Sequence, residues 1–502
     1  MASIGLQYNS RIITVPTRYF VLAWMALASC LPGATVPAGS MLEVRLVTPT
    51  GTRVSKVGDQ VEAVLLAPIA LNSAVLLPAG VKLKGTIRHL QRLSLRNARA
   101  SIEYSFETLT LPGGDVPVQT RLLLVDTAKE NVDAGGRVAG ISPIVNVSSS
   151  LATYAWRVFF LQPAAAIPVW ITKFAFARAP DPEIYFPAGT EFLLRLTADL
   201  ELPETAPASA PARSLESLFA RHLEQAARKI PQQAEYRSGI PSDLINLVLV
   251  GRREQLARAF AAAGWSDTDR KSPLSLFRTY LSIIERRGYS RAPMNTLTLD
   301  GLQADISYQK SLNSFSKRHH LRIWRMPGML NGSGMAGLDV WVSAATEDTG
   351  IRFRTGQAKF THVIDPHIDN ERAKVVNDLL FTGCVDAAGM LDRTLPARNR
   401  NPRVPVTDGK LAVVQLNDCF EPQGVSPSVP NGRKITRLLA SMRDDFIRSN
   451  FLYLGYNATR LGSGLKHWIQ NPTELSPRGP ELAQQHHEWL DVALIPPGSV
   501  VE

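Results

Sequence analysis

Three cysteines in 502 residues are too few for a disulfide scaffold, and their placement excludes more than their number does. None stands in a CxxC pair or beside histidines at finger spacing, which rules out a structural zinc site of the finger or ribbon kind. Aromatic residues make up 7% of the chain and form no array on which bases could stack, so nucleic acid is not an expected partner. No uninterrupted apolar run reaches the roughly 20 residues that a membrane-spanning helix needs. The longest apolar region, 145–177, is broken by Arg157, Pro163, Pro168 and Lys173, and it reads as a buried or membrane-apposed excursion. No HExxH sequence occurs. Gly332-Ser-Gly334 and Gly462-Ser-Gly464 lack the surroundings of a nucleophile elbow or phosphate loop and read as turns. These absences remove the common catalytic templates; cofactor, metal, reaction and substrate stay unspecified.

What is present begins with a mild basic bias, a net charge of +11. It suits an anionic surface without specifying one. Basic residues gather at Lys317, Arg318, Arg322 and Arg325, where a solvated face is expected. Near the N-terminus, Arg11 and Arg18 precede the apolar run Tyr19–Ala28, followed by small residues: the pattern of an export signal. Two endings are open to it. Leu27-Ala28-Ser29-Cys30 resembles a bacterial lipobox, which would make Cys30 a lipid anchor, whereas ordinary cleavage would fall at Ala34. A buried N-terminal helix is the competing explanation. With Cys30 set apart, Cys384 and Cys419 remain as an even pair, either one disulfide in an oxidising compartment or two buried thiols.

A local pattern then recurs three times, as Val36-Pro-Ala-Gly-Ser40, Leu77-Pro-Ala-Gly-Val81 and Phe186-Pro-Ala-Gly-Thr190, each followed by an alternating apolar run. Further strand signals lie at Val57–Leu66, Ala100–Phe106 and Leu111–Val118. Period-two alternation entered through Pro-Gly turns predicts many short strands and a small all-β barrel or sandwich over 36–202. Residues 36–120 resemble the β-barrel domain of type IV secretion and conjugation channel proteins, with Pro112-Gly-Gly-Asp115 departing from its last turn. The resemblance implies an envelope barrel, and a structural subunit of a secretion assembly as one reading, without a channel role.

Pro203–Ala212 is a Pro/Ala-rich linker, and Ser214–Arg228 has helical spacing, so a linker and helix are expected over 203–240. An α+β domain with a mostly antiparallel sheet is expected over 241–420, and a helical extension over 421–502. In that domain Ile245–Val250 reads as a buried strand, Arg252–Ala263 and Leu274–Arg287 as helices, and 297–299, 319–324, 340–345, 359–364 and 411–416 as strands. Asn246-Leu-Val-Leu-Val-Gly251, Ala263-Gly-Trp265, Lys317–Trp324, Ala344-Ala-Thr346, Thr361-His362 and Ile368–Arg372 carry a resemblance to the LssY C-terminal domain family over 242–395. Relatives in that family are sometimes fused to lipid phosphatases; the phosphatase motifs are absent here, so the resemblance implies no such activity.

The stretch THVIDPHIDNER, Thr361–Arg372, concentrates the chemistry-bearing residues. Asp365 before Pro366 predicts a helix start over Pro366–Leu380, with Asp369 and Glu371 favoured by the helix dipole. His362 alternates with Phe360 and Ile364 on a strand, and His320 shares a face with Arg318, Arg322 and Trp324. If the two strands pair, His320 and His362 could approach Asp365 and form a metal or phosphate pocket. The family pattern has a second histidine directly after His362; Val363 stands there instead. The leading expectation is an exported or lipid-anchored envelope protein that binds an envelope protein or anionic lipid through Arg318, Arg322 and Trp324. The rival is a hydrolase of a phosphorylated envelope substrate using His320, His362 and Asp365.

Overall fold

The structure is a computed structural model describing residues 34–71, 74–93, 99–141, 180–203, 229–329, 337–354, 359–393 and 405–419. The export signal with Cys30, the region 145–177, the helix expected at 214–228, both Gly-Ser-Gly turns and the extension 421–502 lie outside the described residues. Among the described residues no helix is long and apolar enough to cross a membrane.

The N-terminal strands form one nine-stranded antiparallel sheet. Its order is Thr120–Val125, Glu191–Leu196, Met41–Leu46, Gln60–Leu65, Lys82–Gln91, Ser101–Leu111, Arg137–Ala139 and Asn131–Val132, with Gly114–Pro117 also on Ser101–Leu111. The sheet curls until its first strand meets its sixth, where Val118 N–H donates to Glu107 O at 2.9 Å and Thr120 Oγ1 donates to Phe106 O at 3.0 Å. The result is a nearly closed, barrel-like sheet, as expected. Alternating residues such as Leu42, Val44, Val61, Leu83, Ile102, Phe106, Phe192 and Leu194 fill it. Each Pro-Ala-Gly turn places its glycine at positive φ, at 90°, 87° and 92° for Gly39, Gly80 and Gly189. That conformation costs glycine nothing, which explains the residue in all three copies.

The C-terminal strands form an eight-stranded sheet in the order Ser266–Asp267, Ile306–Lys310, Arg318–Met326, Asp339–Arg354, Leu247–Gly251, Lys410–Leu416 and Val385–Asp392, with Lys359–Ile364 on Asp339–Arg354. Only Leu247–Gly251 and Lys410–Leu416 run parallel. Leu247–Gly251 is buried on both faces, which is why its sequence is apolar without alternation. One face carries Leu249, Leu321, Ile323 and Trp341 under the helices Arg253–Ala262 and Ile368–Phe381. The other carries Val248, Trp324 and Val342 against a small sheet of Gln233–Tyr236, Pro241–Leu244, Leu297–Leu299 and Leu302–Gln303. The third helix among the described residues is Pro273–Glu285, capped by Ser272, whose Oγ accepts from Ser275 N at 3.1 Å.

Two local expectations need correction. Gln233–Tyr236, within the stretch expected as linker and helix, is a strand that buries Ala234. The helix expected from Pro366 starts at Ile368, because Pro366 O accepts from Val406 N at 2.6 Å and His367 bridges to Val406, holding His367 at a ψ of 72°, outside the helical range. Asp365 is therefore not the cap; its Oδ1 accepts from His367 N at 2.9 Å.

Cys384 and Cys419 form a disulfide across a separation of 35 residues, tying the end of the Ile368–Phe381 helix to the end of the Lys410–Leu416 strand. Closing a loop of that length removes unfolded-state entropy worth about 3–4 kcal/mol. The double variant Cys384→Ala/Cys419→Ala is expected to lose about that much stability in denaturant unfolding relative to the oxidised protein. Unfolding midpoints unchanged by the substitutions would contradict it.

Candidate functional site

The Arg318–Met326 strand presents two chemically different faces. Its even positions, Arg318, His320, Arg322 and Trp324, are only 2%, 6%, 7% and 2% exposed, because the small sheet and neighbouring loops cover them. This corrects the expected basic contact surface. Arg318 donates to Gln309 Oε1 at 3.2 Å and Asp348 Oδ2 at 3.4 Å and lies 4.3 Å over the Phe315 ring. Arg322 pairs with Asp243 at 2.7 Å, and Trp324 Nε1 donates to Leu302 O at 3.1 Å. Of the basic group, Arg325 is the exposed member, paired with Asp339. A surface for partners is not open to the other two arginines or the tryptophan.

His320 and His362 do meet, with ring centroids 6.2 Å apart. The carboxylate between them is Asp348, whose Oδ2 lies 2.8 Å from His362 Nδ1 and 3.3 Å from His320 Nε2. Asp365 stays at the helix entry, with its backbone N–H on Glu347 O. Arg318 Nη2 lies 3.3 Å from His362 Nε2. Guanidinium only donates, so that nitrogen accepts and the His362 proton faces Asp348. Burial, reinforced by Arg318, Arg322 and His362, pushes His320 well below the usual histidine range despite Asp348. Burial alone would raise Asp348, but the two histidines and Arg318 hold it low. The group is a buried histidine pair on an ionised aspartate, His320 being held neutral, with a guanidinium closing one side.

A second polar group lies at the seam between the two large sheets. From the N-terminal sheet come Arg45, Glu191 and Asp126; from the C-terminal part come Lys310, His319, Glu371, Lys374 and Asp378. Arg45 Nη2 lies 2.7 Å from Glu191 and 3.4 Å from Asp378. Lys310 Nζ lies 2.6 Å from Glu191 and 2.8 Å from Asp378. Lys374 pairs with Glu191 and reaches Asp378 at 3.2 Å, and Trp265 Nε1 donates to Asp378 Oδ2 at 2.9 Å. The network continues to His319, whose Nε2 is 3.0 Å from both oxygens of Asp126 and whose Nδ1 is 2.7 Å from Glu371 Oε2.

The charges settle against burial. Burial would raise Glu191, but Lys310, Lys374 and Arg45 hold it well below the usual carboxylate range. Burial and the two neighbouring cations lower Lys310 in spite of Asp378 and Glu191. Lys374 and His319 overcome burial and are held well above their usual ranges, Lys374 by Asp378, Glu191 and Asp126, His319 by Asp126 and Glu371. Glu347, opposite His319, is pushed up to about 7 by burial and by Glu371, Asp126 and Asp365, with His319 opposing. Beside this network opens a cleft of about 430 Å³, lined by Arg45, Asp126, Glu191 and Lys310 together with Thr127, Thr190 and Ser311 and the small residues Ala261–Gly264.

No sequence motif singles out the seam residues as a site, and Glu371 stands out in the sequence only as a partner of the helix dipole. One signal was available. Glu371, Val375 and Asp378 stand at i, i+4 and i+7, so two acids share the buried stripe of the Ile368–Phe381 helix. His319, likewise, falls on the strand face of Leu321 and Ile323.

These features define a mostly-β protein of two packed sheets, with an α-helical cover on the second and an ionic seam between them. Residues 227–411 match the family model for the LssY C-terminus, so the resemblance seen over 242–395 holds and extends at both ends. Among curated proteins no sequence match is found. Among solved structures the chain is similar to ComB10 of the Com type IV secretion system of Helicobacter pylori, at 13% identity over 34% of this chain and 91% of that chain. The TM-score is 0.19, too low for the likeness to carry an argument.

Removing Glu191 leaves three buried cations short of an anion, a change that costs about 3–5 kcal/mol. Glu191→Gln is expected to destabilise by that order at pH 7 in denaturant unfolding. Because the folded-state pKa is depressed, the stability Glu191 contributes is present above its unfolded value and lost as pH falls through its folded value. The gap between wild type and variant should therefore close in acid; a gap that is constant from pH 7 to pH 3 would contradict the assignment.

Proposed function

We propose that the chain is an exported protein of the bacterial cell envelope that binds a polar envelope component or partner in the cleft between its two sheets. The observation that carries this reading is the cleft itself, a concavity of about 430 Å³ lined by ionic side chains of both signs. Ligand sites pair a shaped hollow with a few fixed polar groups in this way. Its ions are already paired, so they orient a ligand's donors and acceptors more than they neutralise a charge. Location has its own support. The Arg11–Cys30 segment has an export pattern, and a disulfide such as Cys384–Cys419 persists in an oxidising compartment. Lipidation at Cys30 would keep the chain at a membrane, beside anionic lipid.

Ala261 is exposed on the cleft wall, so Ala261→Trp fills the cleft without entering the core. Binding of the purified chain to phosphatidylglycerol vesicles, lipopolysaccharide and soluble peptidoglycan fragments is the test. One probe is expected to bind, and the variant should bind it about tenfold more weakly or worse, with unchanged thermal unfolding. Equal affinities, or no binding to any of the three, would overturn the proposal.

The hydrolase reading has one observation in its favour, the meeting of His320 and His362 over Asp348. It expects His362→Ala to abolish function in the cell; a fully active variant removes it. The reading as a secretion-assembly subunit rests on the sequence resemblance alone.

A further inference from the structure

We infer that His319, Glu347 and Glu371 form a binding site for a first-row divalent transition-metal ion, with Asp126 as the outer carboxylate that orients the histidine. The three residues stand on three rigid elements. His319 and Glu347 are direct cross-strand partners between Arg318–Met326 and Asp339–Arg354, so their side chains leave the sheet on one face. Glu371, in the first turn of the Ile368–Phe381 helix, is laid over that pair. One ligand atom from each comes within 4.8 Å of the others. His319 Nδ1 and Glu371 Oε2 are already 2.7 Å apart, and bonds of about 2.0–2.2 Å to a common ion would set such atoms roughly 3 Å apart. Small side-chain rotations suffice.

Two further observations point to a ligand. Glu371 is 3% exposed, yet its second oxygen, Oε1, has no hydrogen-bond partner. A buried carboxylate oxygen left bare is costly, and a cation would satisfy it. The second is the position of Asp126. It engages His319 Nε2 through both oxygens, at 3.0 Å each, on the side of the ring away from Glu371. A carboxylate accepting from one imidazole nitrogen while the other faces two more carboxylates is the outer-shell arrangement of metal-bound histidine. It fixes the ring and leaves the Nδ1 lone pair for the ion once the proton there is displaced.

The donor set also selects among metals. One imidazole and two carboxylates suit zinc, manganese or ferrous iron, while calcium and magnesium prefer all-oxygen sets. With both carboxyl groups deprotonated by the bound ion, Glu347 and Glu371 would together supply two negative charges, matching a divalent ion. Glu347 is only half-buried, so the site has a route from solvent and a position open to water or a further ligand. Arg318 excludes the same assignment at His320 and His362, since its guanidinium already occupies that side of His362.

The test uses the full chain, stripped with chelator and titrated with Zn²⁺ or Mn²⁺ alone by calorimetry, with the metal content of the untreated protein measured in parallel. One ion per chain is expected. Glu347→Gln, at a half-exposed position that tolerates the change, should weaken binding about a hundredfold, and Asp126→Asn about ten- to a hundredfold. His362→Ala should bind as wild type does. With Co²⁺ as the probe, the visible absorption of the bound ion should shift in Asp126→Asn, a response that a merely structural aspartate would not produce. No stoichiometric binding by the wild type, or equal affinity in Glu347→Gln, would overturn the assignment. So would loss of binding in His362→Ala, by moving the ion to the other histidine pair.

Discussion

The two sheets are held in register by buried charge. Arg45 reaches Asp378, Lys310 and Lys374 reach Glu191, and His319 reaches Asp126, and every one of these pairs joins a residue of the N-terminal sheet to one of the C-terminal part. The cations Arg45, Lys310, Lys374 and His319 face the anions Glu191, Asp378, Asp126 and Glu371. Moving so many ions out of water is expensive, and apolar packing of equal volume would often be as stable. What ionic pairing adds is discrimination. A shifted docking of the sheets would strand several of these charges, whereas a shifted apolar face would merely repack. A second set of seam contacts runs alongside, from Leu312 N to Thr127 Oγ1 at 2.8 Å and from Asn313 Nδ2 to Glu130 Oε2 at 2.9 Å, and it fixes the same placement with neutral donors.

That constraint explains the cleft. Side chains committed to one another across the seam cannot also fill the space beside it, and the neighbouring wall is built from Ala261, Ala262, Ala263 and Gly264, which have little to fill it with. The helix Arg253–Ala262 turns its large residues, Leu256 and Phe260, toward the sheet, where Phe260 stacks on Tyr308 at 4.8 Å and meets Trp265 edge-on at 5.9 Å. Its small residues are left for the seam. Packing of the core and openness of the cleft are two consequences of one amphipathic pattern.

Much of the architecture is legible in short stretches. The Pro-Ala-Gly repeats specify turns by backbone stereochemistry alone, and the apolar run at 247–250 specifies a strand covered on both faces. Helix bounds are legible to within a residue or two where a local signal decides them, as Ser272 and Pro273 do for Pro273–Glu285. At Pro366 the local signal was overruled by Val406, a partner forty residues away that no window contains. The charged seam is illegible for the same reason on a larger scale. Glu191 and Lys310 become neighbours only after both sheets have formed and docked. A single sequence does carry the anomaly of acids at buried helical positions, Glu371 and Asp378, but not the identity of what answers them.

The dipeptide His319-His320 condenses the argument. Adjacent residues on a strand point to opposite faces, so two identical side chains enter two different electrostatic worlds. His319 faces the seam between Asp126 and Glu371, where carboxylates outweigh burial and keep it charged or ready to hold a cation. His320 faces Arg318 and Arg322, where burial and positive neighbours keep it neutral in spite of Asp348. Composition and motif treat the pair as interchangeable. The sheet separates them by one residue's rotation, and with them it separates a site suited to a cation from one that a guanidinium has already closed.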